Sequence, residues 1–394
     1  MRSAKRTKLR LRLLRLAGRA LAPGLAAPPA PGLAAPAPQP RRVLLLRPDH
    51  IGDVLLTAPA VALLRASLPA AHLTYLVGPW SEAAARNGPH VDSLRTLRFP
   101  GFTRKPKLNP VAPYLLLARQ AARLRREAYE LAVIFRPDHW WGALLALAAG
   151  IPLRVGSDTP ETTPLLTHVH PAQQPEHAAE QALRVARLAL EAATIAPIEP
   201  ARSTIFRVGH DAAAAADDLW RRQSLAQQRV VAIHPSAGAP LKSWPVDRWA
   251  ALAEALLGTG TQVVLVGAPE DGPLLSTILE HMNQRVPIIH GQSLDVSAAI
   301  YQRSRLVVTV DSGAAHLAAA VGTPTVRLYG PAPPASFGPW PPRHDQRVLM
   351  TSKLACAPCG DLEAPPCGAL ALPACMLALG VDDVLNSIRA ELHP

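Results

Sequence analysis

Short, mostly apolar runs alternate along this chain with longer stretches in which apolar residues recur every three or four positions. The first half opens with an apolar run at residues 42–46, a helix-period stretch at about 54–67 and a second run at 72–77. A third run at 131–135 leads into a Leu- and Ala-rich helix that ends near Gly150, and another helix is expected over about 177–193. Continuous apolar runs suit strands buried on both faces, and their alternation with helices marks a parallel sheet covered by helices. Residues 194–228 are mixed and show no βα unit, so a domain boundary is placed there.

The pattern then restarts. Strands are expected at 230–234, at 262–266 ending at Gly267, at 287–290, at 306–310 and at 325–329. Helices are expected at 246–257 and 295–303, with a short one after residue 312. The expected architecture is α/β, with two Rossmann-like domains facing each other across a cleft. Its expected parts are an arm at 1–40, a first domain at 41–200, a linker at 201–228 and a second domain at 229–394. In such sheets ligands bind beyond the carboxyl ends of strands, so the loops there are where chemistry is sought.

Charge changes this picture only at one end. The formal net charge is +12, but residues 1–42 hold ten Lys or Arg and no Asp or Glu, which leaves +2 for the other 352 residues. A nucleic-acid enzyme would carry its basic surface on the folded body, so no nucleic-acid partner is expected. In the arm, Lys5, Lys8, Arg12, Arg15 and Arg19 recur at helical spacing beside Leu9, Leu13 and Leu16. That pattern suits a helix lying on an anionic membrane surface, and a disordered basic tail is the other reading. Residues 22–40, rich in Ala and Pro, read as an extended linker. Prolines from Pro23 onward interrupt any signal-peptide core, and no stretch suits a membrane span. A cytoplasmic body is therefore expected, with peripheral contact at the inner face of the inner membrane as an option. Cys356, Cys359, Cys367 and Cys375 are spaced C-x2-C-x7-C-x7-C; a thiolate metal site and reduced thiols packing a loop both fit that spacing.

The chemistry-bearing residues follow strands. After the first strand comes Arg47-Pro48-Asp49-His50-Ile51-Gly52-Asp53, where Gly52 is expected to supply a tight turn. Asp53 is placed either to cap the next helix or to take a proton from a hydroxyl as general base. Arg-Pro-Asp-His occurs again at 136–139, so Arg47 and Arg136 are candidates for gripping an anionic acceptor. The second half offers Ser236 in a small-residue loop and then Lys242 before Trp244-Pro245. Asp311, Ser312, Gly313 and His316 sit where a buried strand hands over to a helix N-terminus, an environment that favours phosphate. A carboxylate beside such a site suits a ligand that is part phosphate and part polyol, as a nucleotide-sugar is. Arg95, Arg98, Arg104, Lys105 and Lys107 form a basic run read as a solvated loop or as a contact for an acidic acceptor.

Three blocks, VLLLRPDHIGDVLLTAPAVALLRASLP, HPSAGAPLKSWPVDRWAALAEALL and VVTVDSGAAHLAAAVGTPTVRLYGP, resemble glycosyltransferase family 9, the heptosyltransferase type, in order from residue 42 to the end. The resemblance implies a GT-B fold with an N-terminal acceptor domain and a C-terminal nucleotide-sugar domain. It implies inversion at the anomeric carbon, and neither metal ion nor cofactor. Carried across, Asp53 is the base, Lys242 neutralises the donor phosphates and Asp311 contacts the donor sugar. Ser312, Gly313 and His316 belong to the same pyrophosphate-binding turn. From the residues themselves, Ser236 is added to donor binding, and Arg47, Gly52 and Arg136 are placed in acceptor binding. The expected donor is ADP-heptose and the expected acceptor a lipopolysaccharide core or related anionic glycolipid. Members often carry Gly-Pro-Thr-Asp-Pro after the last strand, where this chain has Gly330-Pro331-Ala332-Pro333-Pro334. Another nucleotide-sugar donor, an epimerase or hydrolase of the same fold, and a non-catalytic binding protein are the alternatives.

Overall fold

The computed structural model describes residues 11–12, 14–16, 18, 39–102, 109, 111–171, 176–226 and 230–392. Most of the arm and the basic residues Arg104, Lys105 and Lys107 lie outside these. The chain divides into two compact units between Arg202 and Ser203.

The first unit runs β1 (Arg42–Arg47), α1 (Ile51–Ser67), β2 (His72–Val77), α2 (Glu82–Arg86) and β3 (Ser93–Thr96). It continues with α3 (Ala112–Arg126), β4 (Leu131–Ile134), α4 (Trp140–Ala148), β5 (Leu153–Ser157), β6 (His168–His170) and α5 (Ala178–Ala192). Its sheet is parallel throughout, in the order β3-β2-β1-β4-β5-β6. The central strands are apolar on both faces because helices cover both: Val43, Leu44, Leu45 and Leu46 of β1 are all fully buried. Strand β1 pairs with β4 from Val43↔Leu131 to Leu46↔Ile134, so the chain leaves both strands at the same edge. Of the arm, Leu14 is buried against Ala143, Leu147 and Leu165.

The second unit runs α6 (His210–Arg222), β7 (Val230–His234), α7 (Val246–Leu257), β8 (Gln262–Gly267), α8 (Gly272–Glu280) and β9 (Ile288–His290). Then come α9 (Leu294–Arg303), β10 (Leu306–Val310), α10 (Gly313–Ala320), β11 (Thr325–Tyr329) and α11 (Pro334–Phe337). The unit closes with β12 (Gln346–Met350), α12 (Ala374–Leu377) and α13 (Val381–Leu392). Its parallel sheet has the order β12-β11-β10-β7-β8-β9. Relabelled from its own first strand, this is the order of the first unit. Each sheet therefore has one topological switch point, between β1 and β4 in the first and between β7 and β10 in the second, where such sheets bind ligands.

The structure departs from the sequence expectations in three places. Helix α1 starts at Ile51 rather than near residue 54, which places Gly52 and Asp53 inside its first turn. Gly52 is therefore helical and does not supply a turn ahead of the helix. Part of the supposed basic loop is β3, whose Arg95 pairs with Glu127 at 2.6 Å. The segment read as linker contains α6, which buries Ala212, Ala216 and Trp220.

Candidate functional site

At the first unit's switch point, the two Arg-Pro-Asp-His copies meet. Arg47 is the last residue of β1 and is buried, with Nε 2.9 Å from Asp49 and Nη2 3.1 Å from Asp53 Oδ1. Arg136, in the loop after β4, pairs through Nη1 with the same Asp49, and its Nε reaches Asp138 at 2.5 Å. The result is an unbroken chain, Asp53–Arg47–Asp49–Arg136–Asp138, across adjacent strand ends. It holds two guanidiniums and three carboxylates, so both candidate acceptor grips are already engaged with anions. Arg136 also lies over the ring of Phe102, 5.0 Å from its centroid.

The turn that carries Asp49 is pinned from the β2 side. Trp80 Nε1 donates to the Asp49 carbonyl at 2.9 Å, and Ser81 Oγ donates to it at 3.0 Å. Burial would raise the Asp49 carboxyl, but Arg47 and Arg136 outweigh it and hold it below the usual range. Asp53 goes the other way. Burial raises it most and the neighbouring Asp49 adds to that, against the opposing pull of Arg47 and Arg136. Its side chain still keeps 29% of its exposure. A carboxylate that is accessible, ionisable and shifted upward is suited to accept a proton.

Around this chain Arg47 Nη1, Tyr75 OH and both ring nitrogens of His139 have no hydrogen-bond partner among the described residues, and Arg47 Nε meets Asp49 Oδ2 as an ion pair without hydrogen-bond geometry. Burial pushes the imidazole of His139 down to about 3, so it is neutral. It stands edge-on to Phe99, with ring centroids 5.2 Å apart. A Cβ at position 142 would fall 2.4 Å from His139 Nδ1, so Gly142 makes room for the ring.

At the second unit's switch point, β7 delivers His234 and Ser236, and β10 delivers Asp311. Ser236 Oγ donates to Asp271 at 2.7 Å and lies 3.0 Å from His234 Nε2, while His234 Nδ1 lies 2.9 Å from Tyr301 OH. The one hydroxyl proton of Ser236 goes to a carboxylate, so His234 donates from Nε2 and accepts the Tyr301 proton at Nδ1. Burial, against the pull of Asp271, pushes His234 down to about 4. The relay is neutral except at Asp271.

Lys242 ends a short 3-10 turn at Pro240–Lys242. The next residues are clamped: Trp244 is buried against Trp249 and donates to the Leu379 carbonyl at 3.1 Å. Lys242 Nζ is thereby held 2.5 Å from Asp311 Oδ2. Ser312, the N-cap of α10, makes no side-chain cap bond; its hydroxyl lies 3.2 Å from Thr309 Oγ1. The Ser312 carbonyl accepts from Ala315 N–H at 3.2 Å, and the Ser312 side chain leaves the amides of Gly313 and Ala314 unbonded, an arrangement suited to receiving phosphate. His316 is buried within the same helix.

The predicted residues thus fall into two groups: Arg47, Gly52, Asp53 and Arg136 in one unit, and Ser236, Lys242, Asp311, Ser312, Gly313 and His316 in the other. Sequence reasoning missed Asp49, Asp271 and Tyr301. Asp49 stood inside the repeated motif and could have been found there, whereas Asp271 and Tyr301 are far from Ser236 in sequence. Cys356, Cys359, Cys367 and Cys375 are all free of disulfides, and burial raises the thiol of Cys375. Among the described residues no group of three or more His, Cys, Asp or Glu is arranged to hold a metal ion. Among them, too, no helix is long and apolar enough to cross a membrane.

The sequence pattern of glycosyltransferase family 9 (heptosyltransferase) matches residues 117–365. Lipopolysaccharide heptosyltransferase 2 of Escherichia coli (strain K12) is 26% identical over 325 residues, covering 78% of this chain and 87% of that protein. Among solved structures, a glycosyl transferase of family 9 from Veillonella parvula matches with a TM-score of 0.72 at 22% identity, over 89% of this chain and 97% of the other. The E. coli ADP-heptose lps heptosyltransferase II matches with a TM-score of 0.69 at 23% identity, over 89% and 98%. These likenesses give the fold, GT-B, in agreement with two parallel six-stranded sheets of one order.

Proposed function

The chain belongs to glycosyltransferase family 9, the heptosyltransferases, and from that premise we propose that it transfers heptose from ADP-heptose by an inverting displacement that needs no metal ion. The acceptor is the core of a lipopolysaccharide or a related anionic glycolipid. Asp53 takes the proton of an acceptor hydroxyl. The freed oxygen attacks the anomeric carbon from the face opposite the diphosphate, the bond from that carbon to the phosphate oxygen breaks, and ADP leaves with the electron pair. Lys242 and the first-turn amides of α10 receive the charge that develops on the leaving group. Asp311, once the diphosphate has drawn Lys242 from it, accepts from sugar hydroxyls.

The observation that carries this reading is Lys242 held 2.5 Å from Asp311 beside a helix N-terminus whose N-cap side chain bonds none of its amides. Such a site supplies a cation and oriented donors without a divalent ion. The ADP donor is supported by the likeness to the E. coli ADP-heptose lps heptosyltransferase II. Calorimetric titration with ADP, UDP, GDP and dTDP, each with and without magnesium, tests it. Binding of ADP in preference to the others, unchanged by magnesium, is expected; preference for another nucleotide would overturn the donor.

The enzyme is further proposed to work at the cytoplasmic face of an anionic membrane, where a glycolipid acceptor resides. Residues 93–126 carry nine Lys or Arg and no Asp or Glu. On the same stretch Val111, Tyr114 and Leu115 are 55%, 52% and 64% exposed at the start of α3. Apolar insertion beside basic charge suits such a surface, each cation there being worth about 1 kcal/mol. Replacing all three with serine should free the protein from phosphatidylglycerol vesicles at low salt, and undiminished sedimentation with the vesicles would refute this surface.

A further inference from the structure

We propose that Asp49 is a positioning residue for the reaction: it divides the charge of Arg47 and anchors Arg136, and so sets how strongly Asp53 holds its proton. This rests on the reading of Asp53 as the base. Arg47 has one charge and two carboxylate partners, Asp49 at 2.9 Å and Asp53 at 3.1 Å. Asp49 is itself shared, since Arg136 grips it from the neighbouring strand end. It cannot swing away, because its carbonyl is held by both Trp80 and Ser81 and its side chain is buried.

The groups that face Asp53 come from every strand end around it. They are Arg47 from β1, Asp49 from the following turn, Tyr75 from β2 and Arg136 from the loop after β4. His139, at the start of α4, stands behind Asp49 and is neutral. Because the chain alternates in sign, removing successive members must act in alternating directions. Without the charge of Asp49, both guanidiniums are left to favour ionised Asp53, making it a weaker base. Without Arg136, Asp49 turns its whole charge on Arg47, and Asp53 loses cationic support from both. A residue that only stabilised the fold would not produce opposite shifts.

The test is a carbon-13 titration of the Asp53 carboxyl in the full chain, with the signal assigned by its loss in Asp53→Asn. The midpoint is expected about one pH unit lower in Asp49→Asn and about one unit higher in Arg136→Gln. Shifts in the same direction, or none, overturn the proposal. If Asp49→Asn does not fold, Arg136→Gln and Arg136→Lys still decide: the first must raise the midpoint and the second return it toward the parent value. The acidic limb of the kcat profile, measured with ADP-heptose and lipopolysaccharide from a heptose-deficient strain, should follow the midpoints. Midpoints that move while the limb stays fixed would place the failure in Asp53 as base; midpoints that stay fixed sink the role of Asp49 itself.

Discussion

The two units of this chain solve the same topological problem with opposite chemistry. Each sheet has the same strand order, and in each the candidate side chains gather in the loops and helix starts around the carboxyl ends of the strands flanking the switch point. In the first unit that point holds three carboxylates against two guanidiniums, linked end to end. In the second it holds the pair Lys242–Asp311 and a helix whose N-cap side chain bonds none of its amides, beside a relay from Tyr301 through His234 and Ser236 that ends on Asp271. Fold topology dictates where a ligand meets the chain. The few residues after each strand dictate whether that place takes up protons or receives negative charge. Arg47 and Arg136 are paired with carboxylates of their own unit, just as Lys242 is paired with Asp311.

The sharpest break of this comparison is to damage one unit and read the other. Asp53→Ala should lower kcat by at least about a hundredfold, the lower range of general-base catalysis, while calorimetric ADP affinity stays at the parent value. Lys242→Met should cost about 3 kcal/mol in the transition state, roughly a hundredfold in rate, and should weaken ADP binding as well. Asp311→Asn, by releasing Lys242 from its partner, should instead leave ADP bound as tightly or more tightly while turnover falls. Loss of ADP affinity in Asp53→Ala would mean that the division of roles between the units is wrong.

Much of this division could be read in the sequence, because buried parallel strands are largely apolar on both faces and stand out as runs even where Thr74 or Arg327 interrupts them. Strands β1, β2, β4, β7, β8, β10 and β11 were legible for that reason, and the strand-end motifs came with them. Strands β3, β6 and β12, with sequences SLRT, HVH and QRVLM, are short or polar and half-exposed, so no run announces them. Helix α6 was hidden in a charged segment, although Ala212, Ala216 and Trp220 recur every four residues on its buried face. In the site, Asp53, Lys242 and Asp311 were legible from position after a strand. The ion chain was not, because pairing Asp49 with Arg136 requires knowing that β1 and β4 are neighbours. The relay through Asp271 and Tyr301 depends on the sheet and its helices in the same way.

The smallest expected effect concerns two histidines that the units bury in different company. His139 lies among aromatic rings with no hydrogen-bond partner at either nitrogen among the described residues, whereas His234 is bonded at both. Burial holds both neutral, His139 down to about 3 and His234 down to about 4, against an ordinary value of 6.5. Between those values and 6.5 the unfolded chain binds more protons than the folded one, so stability rises with pH in that window. The contribution is complete above about pH 6.5 and is lost as pH falls, at about 1.4 kcal/mol per histidine per pH unit. His139→Phe keeps an aromatic ring beside Phe99 and Phe102 and removes the titrating group. Thermal unfolding followed from pH 7 to pH 5 should then show a shallower loss of stability than in the parent, with the share from His234 unchanged. A slope as steep as the parent's would mean that the first unit does not hold His139 neutral, and that the two switch points differ less in acid than their geometry implies.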